Sequence, residues 1–155
     1  NAAAGLVLQY PLVRWATRRA GPPAVLAYGV LLMGLGLGVF AFADAPATAM
    51  PLMCLGVVLF AAGRALVEPT KDVVTSELAP PESLAAYFGV SFLALAVGGS
   101  IGNYAGGWLY DVATSLSLPA LPWLIFLVLG GAVAALLGAA TPRRPATTHE
   151  TADVL

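Results

Sequence analysis

The stretch "GRALVEPTKDVV", residues Gly63–Val74, sets four charges, Arg64, Glu68, Lys71 and Asp72, close together in a chain that is only 10% charged. They follow an apolar run that begins near Met50. A charged side chain in hydrocarbon costs about 2.5–3.5 kcal/mol on insertion scales. Either the chain has left the membrane by Arg64, or the charges are tolerated inside because they are paired and carry a role. Which of these holds decides how the segment 50–75 folds.

The composition around it is that of a membrane protein. Hydrophobic residues make up 59% of the chain and the mean hydropathy is +0.87, whereas soluble domains are about 45–50% apolar and about 25% charged. A net charge of −1 gives no footprint for nucleic acid. Cys54 is the single cysteine and His149 the single histidine, which excludes intrachain disulfides, cysteine-rich metal sites and multi-histidine catalysis. No metal and no cofactor is expected.

Apolar runs divide the chain into spans. Residues 1–13 are too short to cross a bilayer, which takes about 20. Their positive charges, Arg14, Arg18 and Arg19, follow the run instead of preceding it as in a secretory signal. They read as the trailing half of a helix, and the chain as a fragment. Full spans are expected at 22–43, 50–75, 84–110 and 121–140, separated by the turn-rich "DAPATAMP" (Asp44–Pro51), "SELAPPES" (Ser76–Ser83) and "DVATSLSLPALP" (Asp111–Pro122). The polar tail 142–155 is expected to be disordered. A transmembrane β-barrel does not fit, because its segments alternate over about ten residues.

Basic residues fix the expected orientation. The loop 14–21, the end of the 50–75 span with loop 76–83, and the C-terminus carry six of the seven Lys and Arg residues, and only Arg64 lies away from a span end. By the positive-inside rule that side is cytoplasmic, in a multi-pass cell-membrane protein.

The 84–110 span carries Gly98, Gly102 and Gly106 at intervals of four, a spacing that lines one helix face and lets another backbone approach. The contact is either static packing or a sliding interface between bundles. "GGSIG" (Gly98–Gly102) also matches G-x-S-x-G literally, but a nucleophile elbow needs a strand-to-helix turn with histidine and acid partners. No histidine occurs in any span, so an enzyme is not expected.

Four blocks in order, "LQYPLVRW" (Leu8–Trp15), "EPTKDVVTSELA" (Glu68–Ala79), "AVGGSIGNYAGGWLYD" (Ala96–Asp111) and "LPWL" (Leu121–Leu124), carry a resemblance over residues 1 to about 140. The chain resembles the C-terminal half of a major facilitator superfamily transporter of the drug:proton antiporter group. The resemblance implies an all-α polytopic fold, here the end of helix 8 and helices 9–12 of twelve. It implies a cavity-lining helix 10, a bundle-interface helix 11, and lipid-facing helices 9 and 12. It also implies an N-terminal half as partner, with small molecules and protons as cargo. "R-x-x-x-R-R-x-G" (Arg14–Gly21) resembles the basic half of a cytoplasmic loop motif whose usual aspartate is missing here. The glycine block resembles the antiporter motif of helix 5, transposed to helix 11, with Gly102-Asn103 in place of a Gly-Pro step. Asn103 is either an interhelical hydrogen-bonding group or a packing residue.

If residues 50–75 are helix 10, the helix continues past Val67 and is kinked, not ended, by Pro69. Arg64, Glu68 and Lys71 then fall within about 40° of one line, with Asp72 beside them. Arg64 can pair with Glu68, and Glu68 with Lys71. These are candidates for cavity and coupling residues, with Glu68 placed to load and release a proton; the alternative is a self-neutralised, snorkelling helix end. The expected function is proton-coupled multidrug efflux by alternating access. The alternatives are a metabolite porter of the same superfamily and a non-transporting membrane subunit.

Overall fold

The computed structural model describes residues 21–43 and 46–140. The expected span 1–13, Arg14, Arg18, Arg19, Asp44 and the tail 142–155 lie outside the described residues. Four helices follow one another: α1, Pro22–Val39, closed by a single 3-10 turn at Phe40–Phe42; α2, Pro46–Leu78; α3, Leu84–Ser115; and α4, Leu121–Ala140. Each is long and apolar enough to cross a membrane. No strand occurs among the described residues.

The ends of the helices follow from local chemistry. Pro22 and Pro23 occupy the first turn of α1, where the missing N–H groups would have no intrahelical partner. The free amides of Ala24 and Val25 donate to the carbonyl of Gly21 at 3.0 and 3.1 Å. Between α2 and α3, Pro80 is extended at φ −59°, ψ 145°. After α3, Ser117 takes a left-handed conformation at φ 57°. The Leu118 amide donates to Ala113 O and the Ser117 amide to Thr114 O, the paired bonds of a Schellman stop.

Helices run past the boundaries that hydropathy suggests. α2 starts at Pro46 and ends at Leu78, and α3 continues to Ser115. Hydropathy marks the apolar part of a helix, while the hydrogen-bond ladder continues into polar residues. Thr114 Oγ1 donates to Tyr110 O and Ser115 Oγ to Val112 O, so these hydroxyls bind their own helix. Pro69 lies inside α2 without ending it.

Packing centres on α1, which lies against α2 and α4. Lipid tails are as apolar as leucine, so association inside a bilayer rests on close van der Waals fit and favours small residues. Against α2, Gly29 meets Gly63 and Gly36 meets Gly56, two contacts a heptad apart on each antiparallel helix. A Cβ on Gly63 would stand 2.5 Å from Gly29 O, and one on Gly36 would stand 2.7 Å from Gly56 O. Against α4, Gly34 meets Gly130, and a Cβ on Gly38 would stand 2.9 Å from the Leu127 side chain. The run "GLGLG" (Gly34–Gly38) therefore serves two neighbours, because residues two apart point about 200° apart on a helix. Beyond these contacts, Phe40 and Trp123 meet edge to face with ring centroids 5.0 Å apart, joining the end of α1 to the start of α4.

α3 is held differently. Ala113 is the one residue of α3 that is buried.

Candidate functional site

α2 brings the charged residues of the opening motif together. Arg64 lies within two residues of the midpoint of the helix Pro46–Leu78, and its Nε donates to Glu68 Oε1 at 2.6 Å. Four residues advance a helix by slightly more than a turn, so the two side chains lie one above the other. Neither is enclosed: the Arg64 side chain is 64% exposed and that of Glu68 55%.

Lys71 is placed otherwise than its spacing suggests. Its ammonium lies 3.4 Å from Asp72 Oδ1 instead of against Glu68, and 5.5 Å from the centroid of the Phe92 ring on α3. A cation over an aromatic face is attracted by the ring quadrupole. Lys71 thus ties α2 to α3, while Arg64 and Glu68 form a separate pair a turn earlier.

Next to Lys71 stands Thr70, 1% exposed, whose Oγ1 has no hydrogen-bond partner among the described residues. Spacing along α2 gives no sign of it, since its burial depends on what packs across the helix.

α3 carries the glycine face. Gly98, Gly102 and Asn103 are exposed. A Cβ added at Gly98 or Gly102 would meet nothing within 4 Å, and one at Gly106 only Phe126 Cζ at 3.7 Å. Among the described residues no helix packs into this groove. The backbone-to-backbone approaches occur instead at Gly29, Gly34, Gly36, Gly56, Gly63 and Gly130. Sequence reading gives these glycines no such role; the readable signal is the seven-residue spacing shared by Gly29/Gly36 and Gly56/Gly63. The literal G-x-S-x-G lies in mid-helix, with Ser100 Oγ donating to Ala96 O at 2.9 Å, so it lacks the turn that an exposed nucleophile needs.

The family model described as Major Facilitator Superfamily matches residues 1–154 of the chain. Among curated proteins, the chain is 34% identical over 137 residues to the "Multidrug resistance protein MdtH" of Edwardsiella ictaluri, covering 88% of this chain and 33% of that protein. It is 35% identical over 130 residues to the protein of the same name from Photorhabdus laumondii, covering 84% and 31%. The Yersinia enterocolitica protein of that name is 34% identical over 130 residues, with the same coverage. The chain spans about a third of the length of the curated relatives it matches. No solved structure matches it.

Proposed function

Because the chain belongs to the Major Facilitator Superfamily, we propose that it forms the C-terminal part of a secondary active transporter, which exports small apolar or cationic compounds in exchange for protons. The observation that carries this reading is the Arg64–Glu68 pair, exposed near the middle of a helix long and apolar enough to span. Ionisable groups at that depth avoid the hydrocarbon penalty only when they are paired and face protein or a water-filled cavity. A cavity wall is where a transporter uses such a pair. The names of the relatives, multidrug resistance proteins, support drugs as the cargo.

In this reading α2 lines the cavity, Glu68 exchanges protons, and Arg64 holds and neutralises it between turnovers. Lys71 and Asp72 fasten the mouth of the cavity. The face of Gly98, Gly102, Asn103 and Gly106 meets an N-terminal bundle and moves against it as access alternates. Arg14, Arg18 and Arg19 form the basic loop motif on the cytoplasmic side of a bacterial inner membrane, the side that also bears loop 76–83 and the C-terminus.

The test is uptake of a drug panel into inverted vesicles containing the complete protein, driven by an imposed proton gradient. Gradient-dependent accumulation of several unrelated drugs is expected. Accumulation of a single metabolite and no drug would make the protein a metabolite porter. No transport of any kind would leave a structural subunit.

A further inference from the structure

Sulfur is scarce in this chain, and most of it gathers at one place. Of three methionines and one cysteine, Met50, Met53 and Cys54 fall within five residues, near the start of α2. At about 100° per residue, Met53 stands about 60° to one side of Met50 and Cys54 about 40° to the other. Met50 therefore neighbours both, with Cβ atoms about 5–6 Å apart. A thioether carried on three rotatable bonds spans that distance. Met50 is 77% exposed and Met53 52%, and Cys54 is exposed, so packing among the described residues does not use up these sulfurs. Met33 differs. Its side chain lies at the crossing of Gly29 and Gly63, where a Cβ on Gly63 would stand 2.7 Å from Met33 Cγ.

The surroundings select the kind of cation. α2 has no charged residue from Pro46 to Gly63, whereas hard cations such as Ca²⁺ and Mg²⁺ need oxygen ligands. Thiolate and thioether ligands are soft and favour Cu(I); Ag(I) has the same charge and the same preference for sulfur. A thiol gives up its proton as the metal–sulfur bond forms, so one thiolate and one monovalent ion leave no net charge. A neutral complex avoids the penalty that a charge meets on an apolar helix surface. Met53 also lines a groove of about 440 Å³ together with Val57, Phe40 and Trp123. Aromatic rings add attraction wherever a cation reaches a ring face, tryptophan most.

We propose that Met50, Met53 and Cys54 bind one Cu(I) or Ag(I) ion through their three sulfurs, on the flank of the Phe40–Trp123 groove. Cys54 stands about 15 Å along α2 from Arg64, and the site does not depend on what the protein exports.

The experiment titrates the complete protein, in detergent and kept reduced and free of oxygen, with Cu(I) against the chromophoric chelator bathocuproine disulfonate. Absorbance reads the copper left to the chelator. The unaltered protein should take up one Cu(I) more than Cys54→Ser or Cys54→Ala, a difference that cancels any other copper site in the protein. Met50→Leu/Met53→Leu should weaken this uptake by about tenfold or more, since losing even a partner of a metal ligand costs about 10–100-fold. Met33→Leu should bind as the unaltered protein does, and thermal unfolding confirms that each variant is folded. With Zn(II) and a zinc-sensitive dye, the unaltered and Cys54→Ser proteins should not differ. Equal copper uptake by the unaltered protein and both Cys54 variants overturns the proposal. So does undiminished uptake by Met50→Leu/Met53→Leu, which leaves a lone thiol, or a Zn(II) difference as large as that for Cu(I). Copper held between two copies of the protein, seen as a dimer in native mass spectrometry, overturns it as well.

Discussion

A side-chain carbon on Gly130 would stand 2.9 Å from the Cα of Gly34, so α1 and α4 meet through their backbones. The same closeness recurs between Gly29 and Gly63 and between Gly36 and Gly56 on the α2 side of α1. Since these approaches join helices where the hydrophobic effect gives little, they carry much of the association of the three helices.

Gly36→Leu and Gly130→Leu should therefore destabilise the assembled protein. Overpacking typically costs about 1–3 kcal/mol and sometimes more, and here the clash is with backbone that cannot rotate away. Gly98→Leu, where a Cβ meets nothing, should change the thermal unfolding of the purified complete protein far less. Equal losses at Gly36 and Gly98 would contradict the packing described for α1.

Arg64 and Glu68 should behave as a unit in transport. Arg64→Ala leaves the Glu68 carboxylate without its partner, while Arg64→Ala/Glu68→Gln removes both charges. The single change should therefore impair membrane insertion and transport more than the double change, and Glu68→Gln alone should lower efflux with insertion intact. A double-mutant cycle on vesicle transport measures the coupling. Simple additivity would show that the 2.6 Å contact carries no function.

On the proposed function, Gly102→Leu should insert and fold but stop transport, because leucine would fill the face against which a second bundle is proposed to slide. Gly89 stands on the same helix, about 140° around from Gly102, also with nothing within 4 Å of an added Cβ. Gly89→Leu should transport normally. Cysteine labelling from each side of the membrane would show the Gly102→Leu protein accessible from one side only. Wild-type transport by Gly102→Leu would mean that this face does not move against a partner.

Lys71 and Phe92 should contribute to docking of α3 on α2. A cation–π contact is worth about 0.5–1 kcal/mol when exposed and more when dry. Lys71→Met and Phe92→Leu should each lower thermal stability, and a Lys71→Met/Phe92→Leu protein should lose less than the two losses added. Full additivity would remove this contact from the forces holding α3.

Much of the helical fold is legible in the sequence because apolar length and basic flanks report directly on a bilayer. The Arg64–Glu68 pair is legible too, since its partners share one helix and a four-residue spacing determines their proximity. Lys71 shows where this reasoning stops. Spacing offers it Glu68, but Asp72 lies closer and Phe92 approaches from another helix, which no periodicity within α2 reveals. The glycines divide in the same way. A four-residue interval draws attention to Gly98, Gly102 and Gly106, yet the tight contacts among the described residues pair Gly29 with Gly63, Gly36 with Gly56 and Gly34 with Gly130. Spacing says that a face is smooth; only the neighbouring helix decides whether that face is occupied.

The meeting of Gly34 with Gly130 joins residues 96 positions apart, and this sets a schedule for assembly. A ribosome adds about 5–20 residues per second, so Gly130 follows Gly34 by roughly 5–20 s. The contacts of α1 with Gly56 and Gly63 can form well before then. Until α4 is made, the Gly34 side of α1 lacks the helix that meets it in the folded chain. A nascent chain halted after α3 would be a two-sided helix with one side empty, ready for any small-faced helix nearby. Among the four described helices, the last to be made closes on the earliest.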